Sequence, residues 1–230
     1  MVDILAFGAH PDDVEIGCAG LLARMAERGH SCGIIDLASG EKASQGNVEM
    51  RREEALKSAA LLGCTFRECL GFPDTEIRDS IEYRKKVAAR LRIHRPALVL
   101  APYFSDRHPD HAACGTLIYN ASFLSGLKKA EVEGVPHPLR RVIYYMIHDE
   151  FHPSFYVDIS SVFETRMKAL KTFESQFEKS LEEYRYIGIR DYPYFVETRC
   201  RHLGAKIGRE AAEGFLVREG ITVDDPFTVL

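Results

Sequence analysis

The apolar run of residues 2–9 constrains the fold most strongly, because it stops abruptly at His10-Pro11-Asp12-Asp13. A continuous apolar run is typical of a strand that is buried on both faces of a parallel sheet. Imidazole and carboxylate groups are costly to bury, and α/β proteins place such groups beyond the carboxyl ends of their strands. The sequence therefore predicts a central strand that leads directly into a functional site.

Strand-like and helix-like patterns alternate along the first half of the chain. Apolar residues recur at helical spacing in three segments, 14–28, 48–62 and 79–93. The strands predicted between and after these helices cover residues 32–37, 66–70 and 97–102. This alternation predicts an α/β fold, a Rossmann-like and mostly parallel sheet with helices on both faces in a three-layer sandwich.

The second half of the sequence is less regular. Its predicted strands and helices are 141–147 and 155–159, then 162–177 and 196–215. The stretch 125–140, which contains two glycines and two prolines, is predicted to form a mobile or interface-forming insertion. Because no repeat or linker-like segment divides the sequence, we predict a single domain over residues 1–230. Its C-terminal third would add walls to a substrate pocket and to an interface.

Composition limits the partners that the chain can bind. The net charge of −4 and a pI near 6.2 give no electrostatic reason to expect nucleic acid or an anionic membrane. The first apolar run is short, follows no basic region and is interrupted by Asp3, so we expect a cytoplasmic protein without a signal peptide or membrane span. The six cysteines include no CxxC pair and are predicted to be free thiols.

A second group of polar side chains follows the predicted strand at 97–102. This segment, residues 105–111, contains the sequence His108-Pro109-Asp110-His111. Because the carboxyl ends of parallel strands lie at one edge of a sheet, we expect it to meet the segment 10–13 there. Each segment alone also has a simpler interpretation, a helix cap with exposed acids or a solvated loop. Their joint occurrence favours a shared site.

Two imidazoles and one carboxylate form a typical catalytic metal set when the fourth position of the ion is left for water. These ligand types suit zinc better than magnesium or calcium, although ferrous iron shares them. We therefore predict that His10, Asp13 and His111 bind one Zn²⁺ ion per chain.

The neighbouring polar residues are assigned to proton transfer and support. Asp12 is predicted to act as the general base that deprotonates the attacking water. His108 lies one helical turn before His111, so we expect it near the metal without binding it, as a donor to an oxyanion or to a leaving amine. Asp110 is predicted to fix the tautomer of an imidazole.

Three other function classes remain open from these residues. A nucleotide-binding module would need a glycine-rich turn after the first strand, whereas the two acids present there would repel a pyrophosphate. A metallophosphoesterase could use the same ligands, but such enzymes usually recruit a second metal and further ligands. A purely structural role would leave the clustered histidines and aspartates unexplained.

The motifs of this sequence resemble those of the zinc-dependent LmbE-like or PIG-L-like sugar N-deacetylases. The resemblance depends on residues 9–15, on Arg51 and Glu54 in the predicted helix 48–62, and on residues 108–111. The family's loop after the second strand has a Gly-Glu pair followed by small residues. Here residues 40–46 keep the spacing but differ in the middle.

This resemblance implies a function and an assembly. Zinc would be held by His10, Asp13 and His111, Asp12 would be the base, and His108 would assist the tetrahedral intermediate. Members of the family are often oligomeric, so a homo-oligomer, either a trimer or a hexamer, is expected. The substrate would be a small N-acetylated amino sugar.

A narrower resemblance links the second half to the deacetylases of bacillithiol biosynthesis. It depends on the segments 148–155, 157–160, 175–177 and 212–215. The branch implies hydrolysis of N-acetylglucosaminyl malate to glucosaminyl malate and acetate. A malate group needs cations, and guanidinium groups bind carboxylates bidentately, so Arg51 and Arg107 are the first candidates for substrate binding.

Overall fold

A seven-stranded sheet forms the centre of the protein in a computed structural model that describes residues 1–43, 45–139, 141–177 and 191–224. The strands are β1 (Ile4–Gly8), β2 (Cys32–Asp36), β3 (Phe66–Cys69), β4 (Leu98–Pro102), β5 (Val142–Tyr145), β6 (Phe155–Asp158) and β7 (Ala212–Val217). They lie in the order β3-β2-β1-β4-β5-β7-β6, with the first five parallel and β7 antiparallel to both neighbours. The predicted α/β fold with a mostly parallel sheet is confirmed.

Helices cover both faces of this sheet. They are α1 (Asp13–Gly17), α2 (Ala19–Glu27), α3 (Val48–Leu61), α4 (Ile81–His94), α5 (Pro109–Gly126), α6 (Phe163–Lys171), α7 (Glu174–Phe177) and α8 (Tyr192–Lys206). Alternate residues of β1 point to opposite sides, where one apolar core includes α2, α6 and α8 and the other includes α4 and α5. In the described ranges, no helix is both long and apolar enough to cross a bilayer.

The starts of the long helices follow from their capping residues. Asn47 accepts a hydrogen bond from the Met50 amide at 2.9 Å and begins α3, and Ser80 accepts from the Tyr83 amide at 3.2 Å and begins α4. Pro109 occupies the first turn of α5, where its missing N–H costs nothing. The starts of α3 and α4 lie within two residues of the predicted ones.

The second half departs from prediction in one major respect. The helix predicted over 196–215 ends at Lys206, and Ala212–Val217 forms strand β7 between β5 and β6. Gly208 adopts a φ of 67°, a left-handed conformation that suits glycine and stops the helix. The predicted helices 14–28 and 162–177 are each interrupted, at Cys18 and near Phe173.

The predicted insertion at 125–140 is tied to the fold by one buried arginine. The Arg92 guanidinium of α4 donates hydrogen bonds to the carbonyl oxygens of Ser125, Leu127, Val132 and Gly134. A buried guanidinium needs this many acceptors, because an unpaired charge in the interior is costly. The described part of the insertion is therefore attached to α4. Arg140 and, in an earlier loop, Ser44 lie outside the described residues.

We expect replacement of Arg92 by methionine to lower the free energy of unfolding by about 3 kcal/mol, because buried carbonyl groups lose their donors. Urea denaturation followed by circular dichroism measures this loss. Arg90→Met is the matched control on the same helix, since Arg90 is partly exposed and pairs with Glu68 at 3.5 Å. A loss in Arg92→Met no larger than in the control would contradict the anchoring role.

Candidate metal centre and active site

Two chain segments meet at the carboxyl edge of the sheet, one after β1 and one after β4. β1 and β4 are adjacent and parallel, with Ile4 opposite Leu98, so both segments leave the sheet on the same side. The ring centroids of His10 and His111 lie 5.5 Å apart. These two histidines therefore lie close together, as expected from the ends of two adjacent parallel strands.

Asp13 lies between these two imidazoles. Its Oδ1 is 3.1 Å from His111 Nε2, and its Oδ2 is 3.8 Å from His10 Nδ1. All three residues are buried, at 8%, 2% and 3% exposure for His10, Asp13 and His111. Their ligand atoms lie within 4.8 Å of one another. This is the arrangement expected of three ligands that share one ion.

The turn that carries these groups is built around buried carboxylates. Asp13 Oδ2 accepts hydrogen bonds from the amides of Ala9 and His10, at 2.8 and 2.9 Å. Asp12 precedes α1 with a φ of 110°, an uncommon value for a residue other than glycine, and its side chain does not cap the helix. A helix cap with exposed acids is therefore the wrong interpretation of this motif.

Carboxylates hold the outer nitrogen of each imidazole. His10 Nε2 lies 3.1 Å from Asp74 Oδ1 and 3.2 Å from Asp110 Oδ2. His111 Nδ1 lies 3.1 Å from Asp106 Oδ1. Metal-binding histidines typically carry such partners, which fix the tautomer and the orientation of the ring.

The electrostatics of the group favour a bound cation. Burial lowers the pKa of His10, but Asp110, Asp74 and Asp13 outweigh this and raise it to about 10. Burial likewise opposes protonation of His111, yet Asp13 and Asp106 raise its pKa to about 9. The carboxylates around both rings thus favour positive charge at this site, and a bound cation can supply that charge in place of the ring protons. Two imidazoles with one carboxylate suit Zn²⁺, so the residues present fit the predicted ion.

Asp12 and Arg51 form a pair beside the three ligand candidates. Asp12 Oδ2 accepts a hydrogen bond from Arg51 Nη2 at 3.1 Å, and Arg51 also donates to the Pro11 carbonyl at 2.9 Å. Burial raises the pKa of Asp12 to about 6 against the opposing effect of Arg51, while Asp13 adds to the increase. The Arg51 guanidinium therefore fixes the position of the Asp12 carboxylate. Arg51 also lines the cavity beside this site.

These groups open into a cavity of about 290 Å³. The residues that line it beyond those already named include Lys42, Thr75, His108, His148, Gln176 and Tyr192. Arg107 is exposed and is not among the residues that line the cavity, but it lies beside the hydroxyl of Tyr192, which does line it. The C-terminal half thus contributes walls through residues 147–148, 176–177 and 192.

His108 is placed as a neutral hydrogen-bond donor. Its Nδ1 accepts from the Asp110 amide at 3.2 Å, so the neutral ring carries its proton on Nε2. Burial, together with the nearby His111 and His10, lowers its pKa to about 4. Its ring centroid is 4.4 Å from that of His111 and 5.2 Å from that of His10. The catalytic role of His108 stays a prediction.

Comparison with known proteins decides the family. The family model described as PIG-L, GlcNAc-PI de-N-acetylase, matches residues 5–122. The chain is 30% identical to the diacetylchitobiose deacetylase of Thermococcus kodakarensis, over 95% of this chain and 84% of that protein. The chain belongs to the PIG-L family.

Solved structures agree with this membership. A conserved protein of Thermus thermophilus is 38% identical and superposes with a TM-score of 0.89, over 97% of both chains. The diacetylchitobiose deacetylase of Pyrococcus horikoshii, complexed with an inhibitor, is 26% identical, with a TM-score of 0.80 over 97% of this chain and 88% of that one. The α/β fold of this PIG-L family member is therefore shared by proteins of known structure.

Three residues of the site were not predicted from the sequence. Asp74 lies in the loop after β3, and a single aspartate there carries no spacing signal. Asp106 accepts from the Nδ1 atoms of both His111 and His148, at 3.1 and 3.0 Å. His148 lies three positions after the end of β5, so its place beyond a strand end could have indicated that it belongs to the site.

We expect Asp74→Asn to weaken metal binding by roughly 10–100-fold, because His10 loses a carboxylate partner on its outer nitrogen. Competition with a chromophoric chelator measures this affinity. Glu76→Gln is a control on the same loop, since Glu76 is exposed and contacts Lys42 at 3.3 Å. Equal affinities of Asp74→Asn and the wild-type protein would remove Asp74 from this supporting role.

Proposed function

We propose that the protein is a metal-dependent hydrolase that removes the acetyl group from the nitrogen of an amino sugar. The observation that carries the proposal is the buried group of His10, Asp13 and His111, with Asp12 and His108 beside it in one cavity. The family description, de-N-acetylase, and the names of the relatives support the same reaction.

His10, Asp13 and His111 would hold the ion. When bound, zinc would polarise the acetyl carbonyl and lower the pKa of a water molecule toward neutrality. The neighbouring carboxylates Asp74, Asp106 and Asp110 keep the two imidazoles in the orientation that this binding needs.

Asp12 is the proposed general base. Asp12 lines the cavity, and a hydrogen bond from Arg51 fixes the position of its carboxylate. A base whose pKa lies near the working pH is best suited to accept a proton, and burial moves Asp12 in that direction. A rigid contact with Arg51 also reduces the cost of orienting this base for reaction.

His108 is the proposed donor to the developing oxyanion. Because its Nδ1 is occupied by the Asp110 amide, the N–H at Nε2 is available to a substrate oxygen. The leaving amine then needs a proton, which either Asp12 or His108 can supply. Both side chains line the same cavity.

The proposed substrate is N-acetylglucosaminyl malate, as implied by the motifs of the second half. Arg107 and Arg51 are the proposed partners of the malate carboxylates. Arg51 would share its guanidinium between Asp12 and the substrate, whereas Arg107 lies beside Tyr192. The names of the relatives favour a different acetylated sugar, diacetylchitobiose, which is the second candidate.

An amine-release assay tests the proposal. The zinc-loaded protein is incubated with N-acetylglucosaminyl malate, N,N′-diacetylchitobiose or free N-acetylglucosamine, each beside a metal-stripped control. We expect metal-dependent release from the malate conjugate with the highest kcat/KM. A preference for diacetylchitobiose would reject the proposed substrate, and no release from any of the three would reject the proposed reaction.

A further inference from the structure

Two arginines from different helices converge on one backbone carbonyl behind the active site. Arg166 of α6 and Arg199 of α8 each donate a hydrogen bond to the Ile16 carbonyl oxygen at 2.8 Å. Both side chains are buried. Burial of a guanidinium group has a large desolvation free energy, so each of the two must make hydrogen bonds that offset it.

The two arginines differ in their second acceptor. Arg199 Nη1 donates to the Ile147 carbonyl oxygen at 2.8 Å. Arg166 instead pairs with Glu213, at 3.4 Å between Nε and Oε1, and Glu213 accepts the amides of Gly20 and Leu21 at the start of α2. Arg166 therefore joins α6 to α1, β7 and α2. Of the two arginines, Arg199 is the one that connects α1 to the segment after β5, so replacing Arg166 leaves this connection in place.

The two carbonyls that Arg199 holds belong to elements of the active site. Ile16 lies in the five-residue helix α1, three positions after Asp13, and Ile147 directly precedes His148. Both isoleucines also line the catalytic cavity. One of the two carbonyls thus belongs to the residue before His148, and the other belongs to a residue less than one helical turn after Asp13.

His148 in turn contacts the metal centre. Its ring stacks on that of His111, with centroids 5.0 Å apart and planes at 14°. Both histidines share the Asp106 carboxylate. A shift of the segment after β5 relative to α1 would therefore change the distances from Asp13 to His111 and Asp106.

We propose that Arg199 is a positioning residue, which sets the distance between α1, with Asp12 and Asp13, and the segment that carries His148. The inference rests on the proposed function, because hydrolysis of the acetyl amide is the reaction that this distance serves. Arg199 acts from behind these residues, through two backbone carbonyls, and does not touch the substrate itself.

The planar guanidinium explains why arginine is required at this position. Its N–H groups point in fixed directions, so one side chain can hold two carbonyls at a defined separation. The ammonium group of lysine is a compact charge on a flexible stem and cannot impose that separation. Arg199→Lys therefore keeps the positive charge but loses the fixed geometry.

Three variants of the full-length protein separate positioning from folding: Arg199→Met, Arg199→Lys and, as the matched control, Arg166→Met. For each variant we would measure Tm, kcat and KM, together with the affinity for Co²⁺ by chelator competition and the visible spectrum of bound Co²⁺. If Arg199 served only to stabilise the fold, its replacement would lower Tm but would leave kcat, KM and the Co²⁺ spectrum of the folded protein unchanged.

For both Arg199 variants we expect kcat to fall by about 10-fold or more, because small misplacements of reacting groups are costly in rate. KM should change by less than about threefold, since substrate contacts are retained. Affinity for Co²⁺ should fall by about 10-fold, with a changed spectrum. Arg166→Met should lower Tm while leaving kcat and the Co²⁺ spectrum close to those of the wild-type protein.

Wild-type kcat and Co²⁺ affinity in Arg199→Lys would overturn the proposal, and so would equal losses of both in Arg166→Met and Arg199→Met. If Arg199→Met does not fold, Arg199→Lys decides the question. If the wild-type protein deacetylates no sugar, the proposed function fails, and the Co²⁺ affinity and spectrum still decide the role of Arg199.

Discussion

Asp12→Asn is expected to lower kcat by roughly 10²–10⁴-fold while the protein keeps its metal, because the amide cannot accept the proton of the attacking water. Asparagine retains an oxygen for the hydrogen bond that Asp12 accepts from Arg51 at 3.1 Å. The position of the side chain should therefore be preserved, and the loss should reflect proton transfer. Steady-state amine release and elemental analysis of the same sample measure both quantities.

Asp79→Asn is the control for this substitution. Asp79 bonds to Arg84 and to Asn120, and it is absent from the residues that line the described cavity. Its replacement should leave kcat close to the wild-type value. A near wild-type rate for Asp12→Asn with metal bound would show that Asp12 is not the base.

Asp13→Asn is expected to abolish both tight metal binding and activity. Loss of a ligand should weaken the affinity beyond the roughly 10–100-fold that outer partners of a metal contribute. The fold should survive, because one oxygen of the amide can still accept the Ala9 and His10 amides. The NH₂ group would then face His111, where it can donate a hydrogen bond but cannot bind a cation.

Chelator competition and Tm of the metal-free protein test this prediction together. Glu27→Gln serves as the control, since Glu27 is exposed at the end of α2 and pairs only loosely with Arg24, at 3.8 Å. A variant Asp13→Asn that binds zinc as tightly as the wild-type protein would exclude Asp13 from the ligand set.

The central part of the fold and site could be predicted because it follows from local rules. The apolar runs of β1 and β4 indicate buried parallel strands, and parallel strands end at a common edge. His10 and His111 had to meet there once β1 and β4 were neighbours. Pro109 likewise marks the start of α5, since proline is tolerated in the first turn of a helix.

The parts that could not be predicted depend on contacts between distant residues. Ala212–Val217 also has apolar residues at helical spacing, and only pairing with β5 and β6 makes it a strand. Asp74 contacts His10 although the two residues are 64 positions apart in the sequence, and no motif predicts such a contact. The contacts of Arg51 with Asp12 and the Pro11 carbonyl were likewise not predicted, because a buried guanidinium takes the nearest acceptors. Substrate binding by Arg51 stays a prediction.

Anomalous diffraction at the zinc edge, from crystals of the zinc-loaded protein, tests the central claim most directly. The account predicts one zinc ion per chain, bound by His10, Asp13 and His111, with Asp12 close by but not bound to the ion. Zinc at a different set of residues, or two ions in this cavity, would contradict it.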